Sequence, residues 1–250
     1  MRFRLKAFGL HLSSSVGILS VILGALYLGW YDWPGWYLAG AARIVLIMIL
    51  VDAALGPLMT LIIASPSKSA RELARDIGVI VTVQLIGLAY GTLTLWHGRP
   101  LYYAFSVDRL QLVQASDISS KERALANKLN PRFSPAWYQR PRWVWAPLPD
   151  DPKERQKIVE SSIFGGDDVI DMPRYFKPWK QCETQLRQHL RKIGILPFSR
   201  DEHAELARKA KALSLASDAP DALLFTGPGH SLVAIFDTRT LQIRAILAAD

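Results

Sequence analysis

Residues 41–64 read Ala41-Ala-Arg43-Ile-Val-Leu-Ile-Met-Ile-Leu-Val-Asp52-Ala-Ala-Leu-Gly56-Pro57-Leu-Met-Thr-Leu-Ile-Ile-Ala64. Only Arg43 and Asp52 carry charge in this stretch, and about 20 mostly apolar residues at roughly 1.5 Å rise each are enough to cross a bilayer. Two runs of the same kind flank it, Ala7 to Leu28 and Ile77 to Leu95, and the latter has no charged residue. A compact soluble protein cannot bury three such runs around one modest core, so a purely cytoplasmic globular enzyme is excluded. With 50% hydrophobic residues over 250 positions, a disordered chain is excluded too. The expected fold class is a membrane protein: three transmembrane α-helices (7–28, 41–64 and 77–95) within residues 1–97, followed by a small soluble α+β domain over residues 98–250.

Arg2, Arg4 and Lys6 ahead of the first run could form the basic region of a cleaved signal peptide. The apolar stretch is too long for that, and its exit, Gly29-Trp30-Tyr31-Asp32, is not a small-x-small cleavage site. The run is therefore expected to stay as an anchor. Lys68, Arg71 and Arg75 lie between the second and third runs, whereas Trp30 to Gly40 has no Lys or Arg. Basic residues favour the cytoplasmic side, so the N-terminus is expected in the cytoplasm of a bacterial inner membrane and the C-terminal domain in the periplasm. Trp30, Tyr31, Trp33, Trp36 and Tyr37, with Trp96, Tyr102 and Tyr103, are expected to form an interfacial aromatic belt.

Polar and small residues inside the runs are the candidate functional positions. An ionised carboxylate at Asp52 costs roughly 3 kcal/mol or more at mid-membrane, so Asp52 is expected to be held neutral or to face a partner inside the bundle. Gly56 and Pro57 follow four and five residues on; proline removes a backbone donor and invites a kink. The third run carries Gln84 at a similar depth and a Gly87-x-x-x-Gly91 pair, whose spacing allows close backbone approach. The first run offers Ser13, Ser14, Ser15 and Ser20. Asp52 then has three readings: a structural hydrogen bond to Gln84 or Ser20, a polar contact for a foreign transmembrane helix, or proton translocation. The last is weakest, because no second intramembrane acid is present.

The segment Val51-Asp52-Ala-Ala-Leu55-Gly56-Pro57-Leu58-Met-Thr60-Leu61, followed by Ser65-Pro66-Ser-Lys68-Ser69, resembles the signature of the TfpX/TfpZ-type type IV pilin accessory proteins. Arg75-Asp76, Gln84, Ala89-Tyr90-Gly91, Arg99-Pro100 and Phe105-x-x-Asp108-Arg109 extend the likeness, as does the opening Lys6-Ala7-Phe8-Gly9-Leu10-His11-Leu12. It is specific over about residues 5 to 110 and loose beyond. The resemblance implies an inner-membrane protein that is not an enzyme and that assembles or modulates type IV pili. Its partners would be the major pilin, other pilus assembly proteins and membrane lipids. Asp52, Gly56, Pro57, Gln84, Gly87 and Gly91 are the candidate partner-binding residues. They would meet the pilin's hydrophobic helix while the C-terminal domain engages the pilin head. An inner-membrane sensor or anchor module is the alternative, although its cytoplasmic segments would be too short for an output domain.

After Gly98 the chain turns polar, with 23 Lys and Arg against 18 Asp and Glu, a balance that permits attraction to lipid headgroups or acidic proteins. Tyr102 to Val107 and Leu110 to Val113 read as strands. Ser119-x-x-Glu122 has capping-box spacing before a helix that Pro131 stops. Helices are expected from Asp151 to Phe164, Glu183 to Ile193 and Asp201 to Leu215, and strands at Ala222–Phe225, Leu232–Phe236 and Ile243–Leu247. The basic and aromatic stretch from Trp137 to Trp145 is read as core packing or protein contact rather than nucleic-acid binding. His189, His203 and His230 lack metal-ligand spacing, and Gly227-Pro-Gly229 reads as a turn. Cys182 has no obvious base, and Asp167-Asp168-x-x-Asp171 is read as a solvated turn before a calcium site. No metal and no cofactor are expected.

Overall fold

The computed structural model describes residues 1–212, 221–237 and 239–248. The chain folds as two compact units: Met1–Asp32 with Ala41–Gly98, and Trp33–Gly40 with Arg99–Asp250.

In the first unit, helix α1 (Arg2–Leu26) runs on through a π-helical turn, Tyr27–Tyr31. A short helix, α2 (Gly35–Leu38), follows in the segment that belongs to the second unit. Helix α3 (Ala41–Ile49) passes through a second π-helical stretch, Leu50–Leu55, into α4 (Gly56–Ile63). Helix α5 spans Ala70–His97 and opens with a reciprocal cap between Ser69 and Glu72. Three stretches are long and apolar enough to cross a membrane: Arg2–Tyr31, Ala41–Ile63 and Ala70–His97. The first and third helices outrun their apolar runs, because Arg, Lys and Glu favour helix as readily as Leu does. Tyr31 is buried, its hydroxyl donating to the Leu95 carbonyl at 2.7 Å, and Trp30 packs edge-on to Trp96 at 5.0 Å. Tyr31 is thus packed inside this unit.

The second unit is a mixed sheet with helices on both faces. Its elements are β1 (Pro100–Ser106), β2 (Arg109–Gln114), α6 (Ser120–Leu129), β3 (Arg142–Trp145) and α7 (Pro152–Ile163). Then come β4 (Lys177–Pro178), α8 (Glu183–His189), β5 (Arg191–Lys192), α9 (Arg200–Ala212), β6 (Asp221–Thr226), β7 (Ser231–Phe236) and β8 (Ile243–Ala248). Among the described residues the strand order is β4-β3-β1-β2-β6-β7-β8, with β5 pairing to β6. The β1–β3 and β2–β6 pairs are parallel, the others antiparallel. Helix α8 is shorter than the expected Glu183–Ile193: the chain turns extended at Leu190 so that Arg191 and Lys192 can pair with Ala222 and Asp221. Residues 213–215, the end of the helix expected from Asp201 to Leu215, lie outside the described residues.

Strand β1 is buried along its whole length because both faces of the sheet are covered there. Side chains alternate across a strand. Tyr102 and Ala104 enter a cluster with Ile158, Val169 and Phe176, while Tyr103 and Phe105 enter another with Leu186, Phe225 and Leu232. Trp143 joins the second cluster, its ring 4.9 Å from that of Tyr103, so that part of the basic and aromatic stretch is core. Trp137 and Tyr138 are exposed.

The second cluster also contains Leu38, fully buried, from the segment between the first two long helices. Gly229 donates its N–H to the Leu38 carbonyl at 2.8 Å, and the Tyr37 ring stacks on His230 at 4.3 Å. A Cβ at Gly227 would overlap Leu38, and one at Gly229 would overlap Gly40. Gly227-Pro-Gly229 is therefore a turn that also seats the 33–40 segment. Cys182 lies in the same cluster, and burial pushes its thiol up to about 12. In the intact chain in detergent, Cys182 should resist maleimide until denaturation. Leu38→Ala should destabilise the second unit by about 2–5 kcal/mol and make Cys182 reactive under native conditions. Unchanged unfolding and an unreactive Cys182 in that variant would contradict the placement of Leu38 in this core.

Candidate functional site

The polar residues of the long helices meet in the first unit around one irregular turn. Gly56 donates its backbone N–H to the Val51 carbonyl, five residues back. Carried on by one residue, that spacing would have residue 57 donate to the Asp52 carbonyl, but Pro57 has no N–H. The Gln84 side chain of α5 supplies the missing donor, its Nε2 reaching the Asp52 carbonyl at 3.0 Å. Gly56 makes room for this, since a Cβ there would overlap the Gln84 amide.

Because Gln84 Nε2 is committed as a donor, its Oε1 is left to accept. His11 Nε2 lies 2.8 Å from that oxygen and so carries the hydrogen. His11 Nδ1 lies 2.6 Å from Thr60 Oγ1. In the neutral imidazole this nitrogen accepts, and the buried Thr60 hydroxyl donates to it. A chain of three hydrogen bonds, Thr60–His11–Gln84–Asp52 carbonyl, thus ties α1, α4 and α5 to the π-helical stretch. Sequence reasoning places His11 and Thr60 among the positions that carry the resemblance but not among the candidate partner-binding residues. The available signal is that positions 11, 14, 15 and 18 share one helical face, which separates Ser14 and Ser15 from Ser13 and Ser20 among the four serines named.

The small residues of α5 are occupied within the bundle. A Cβ at Gly87 would sit 3.4 Å from Val51 Cγ1, and one at Gly91 would overlap Met48. The Asp52 side chain is 4% exposed, and among the described residues its Oδ2 accepts no hydrogen bond. Ser20 is exposed. Asp52, Gln84, His11, Ser14 and Ser15 line a cavity of about 170 Å³. Of the expected partner-binding residues, the structure gathers Asp52, Gly56, Pro57 and Gln84 at one level and sets Gly87 and Gly91 in the adjoining seam.

In the second unit, the Asp167-Asp168-x-x-Asp171 segment forms a reciprocal cap. Asp168 Oδ1 accepts from the Val169 N–H at 2.6 Å, and Asp171 Oδ2 accepts from the Asp168 N–H at 3.0 Å. No group of three or more potential metal ligands occurs among the described residues. Burial, helped by the neighbouring Asp117, Asp168 and Asp167 carboxylates, raises Asp171 from the usual 3.8 to about 6. His189 Nδ1 lies 2.8 Å from the Gln185 carbonyl and His203 Nε2 lies 3.1 Å from the Leu196 carbonyl. A second cavity, of about 500 Å³, is walled by Trp143, Trp179, Leu186, Leu241 and Ile243, with Lys180 and Glu183 at its edge.

The chain is similar to fimbrial assembly proteins of Dichelobacter nodosus. It is 27% identical to the serogroup I fimbrial assembly protein over 190 residues, covering 74% of this chain and 71% of that protein. The fimbrial assembly protein of serogroups C1 and C2 is 27% identical over 116 residues, covering 46% of this chain and 88% of that protein. The serogroup E1 protein is 26% identical over 190 residues. No family model and no solved structure matches the chain.

Gly56→Val should destabilise the bundle by about 1–3 kcal/mol through overpacking against Gln84. His11→Ala should cost about 0.6–1.7 kcal/mol, the range for hydrogen bonds between membrane helices. Unfolding of the detergent-solubilised chain by added SDS checks the order, and the reverse order would argue against the close approach at Gly56. Asp171 holds its proton more tightly when folded, so its contribution is complete below about pH 4 and is lost as pH rises through about 6. Asp171→Asn keeps an acceptor for the Asp168 N–H. It should flatten this part of the pH profile and raise the unfolding midpoint at pH 7; parallel profiles would count against the shift.

Proposed function

We propose that this protein is an inner-membrane accessory factor of type IV pilus assembly, of the TfpX/TfpZ type. The observation that carries the reading is the similarity to proteins named for fimbrial assembly, which extends over 74% of the chain. Three helices of membrane-spanning length and apolarity support the membrane placement. Trp33–Gly40 belongs to the same compact unit as Arg99–Asp250. This is the arrangement expected if both lie on one side of a bilayer, with the basic residues 2–6 and 68–75 on the other. The positive-inside rule then makes the shared side periplasmic.

In this reading the protein acts by contact rather than by catalysis, and its main partner is the major pilin. A pilin subunit waits in the inner membrane on one hydrophobic helix with its head outside. The three-helix unit meets that helix near Asp52 and Gln84, and the sheet domain meets the head. The contact would stabilise the subunit before assembly or present it for pilus extension.

Deletion of the gene tests the role. Immunoblots should show pilin depleted from sheared surface fractions. Undiminished cellular pilin would put the protein at assembly or extension, and a parallel fall in cellular pilin would make it a stabilising chaperone. Unchanged surface and cellular pilin would sink the proposal.

A further inference from the structure

Among the described residues of the bundle, Asp52 Oδ2 and Thr92 Oγ1 are buried polar atoms without a hydrogen bond, and of the two residues only Asp52 lines a cavity. The Asp52 side chain is 4% exposed, its Oδ2 accepts no hydrogen bond among the described residues, and it lines the cavity of about 170 Å³. One wall is a face of α1 carrying Ser14, Ser15 and Ile18, and the opposite wall is α5 with Val81 and Leu85. Ile18 and Leu85 are more than half exposed, so the cavity is a cleft reaching the outer surface of the bundle. The close-packing seam cannot receive a guest, because Gly87 and Gly91 already face Val51 and Met48. The cleft is the place where polar capacity and open space coincide.

We propose that this cleft binds a single neutral hydrogen-bond donor, an amide or hydroxyl side chain projecting from a transmembrane helix of another protein, on Asp52 Oδ2. The proposal rests on the assembly reading above and identifies the chemistry of its intramembrane contact. Size limits the guest. A cavity of about 150 Å³ accommodates one benzene-sized molecule, so this cleft admits one side chain and not a helix, which is about 10 Å across. Chemistry limits it further. An unpaired buried acceptor calls for a donor, and the Ser14 and Ser15 hydroxyls can both give and accept, which suits an amide or hydroxyl. A cationic guest would bring a second ionisable group into hydrocarbon, where charge is costly.

A photo-crosslinking residue in place of Ile18 tests this in the full-length protein in its native membrane, with the same probe at Leu46, outside the cleft, as control. The expected adduct from position 18 maps by mass spectrometry to a transmembrane peptide containing Asn, Gln, Ser or Thr and is absent with the probe at 46. Asp52→Leu should lower its yield roughly tenfold, the effect of stranding one buried donor, and Asp52→Asn, which keeps an acceptor, should stay within about twofold of wild type. Ser15→Phe fills the cleft without altering Asp52. It should give the same loss at equal membrane abundance, and it decides the matter if Asp52→Leu fails to accumulate. Adducts to lipid alone, or protein adducts insensitive to both Asp52→Leu and Ser15→Phe, would overturn the proposal. Equal loss in Asp52→Asn would overturn it in favour of a cationic guest. A deletion strain that loses pili while these adducts fail would remove the cleft and leave the assembly role standing. Donor-dependent adducts in a strain whose pili survive deletion would do the reverse.

Discussion

The first unit depends on a carbonyl that its own helix cannot satisfy. Pro57 withholds the N–H that the π-helical spacing would aim at the Asp52 carbonyl, and Gln84 crosses from α5 to replace it. A buried backbone group left without a partner costs about 2–7 kcal/mol, so the replacement is close to obligatory. It fixes other choices in turn. Gly56 must lack a side chain for the amide to pass, and the amide's orientation leaves its oxygen for His11. His11 then takes the Thr60 hydroxyl with its other nitrogen. One missing donor thereby sets the relative placement of three helices and leaves the Asp52 carboxyl beside the cleft.

The second unit is governed by burial on both faces of β1. A strand covered on each side must satisfy two cores at once, and the alternation of Tyr102 and Ala104 with Tyr103 and Phe105 does so. Nearby, half-buried Arg174 and buried Glu122 form an ion pair at 2.7 Å that joins α6 to the segment before β4. Glu122 is raised by its burial and held down in part by the Arg174 charge. Removing either partner would strand the other charge, so this pair constrains which loops can lie over that face.

Much of this was legible in the residues. Three apolar runs with few or no charges leave little choice but long apolar helices, and β1, β2, β7 and β8 announce themselves by short apolar runs broken at turn residues. Helix α6 starts at a Ser–Glu cap and ends before Pro131. Other features were illegible for physical reasons. His11 sits in an apolar run without a neighbour in sequence that would reveal its partners, which lie 49 and 73 residues away. The aromatics of residues 30–37 suit a headgroup layer and a protein core equally well, so Tyr31 and Tyr37 could not be assigned from composition. Leu190 to Lys192 keeps helical periodicity, and pairing to β6 overrides it. Gly227-Pro-Gly229 reads as a turn whether or not another segment lies against it.

The burial of Leu38 changes the mechanics of the molecule. A head joined to its membrane segment by one linker transmits load through a single covalent path. Here the chain passes between the two units at Asp32–Trp33, Gly40–Ala41 and Gly98–Arg99. The sheet domain is therefore joined to the helical unit by three covalent crossings rather than one. The loop is thus a mooring line, since taking Leu38 out of the domain means opening a hydrophobic core.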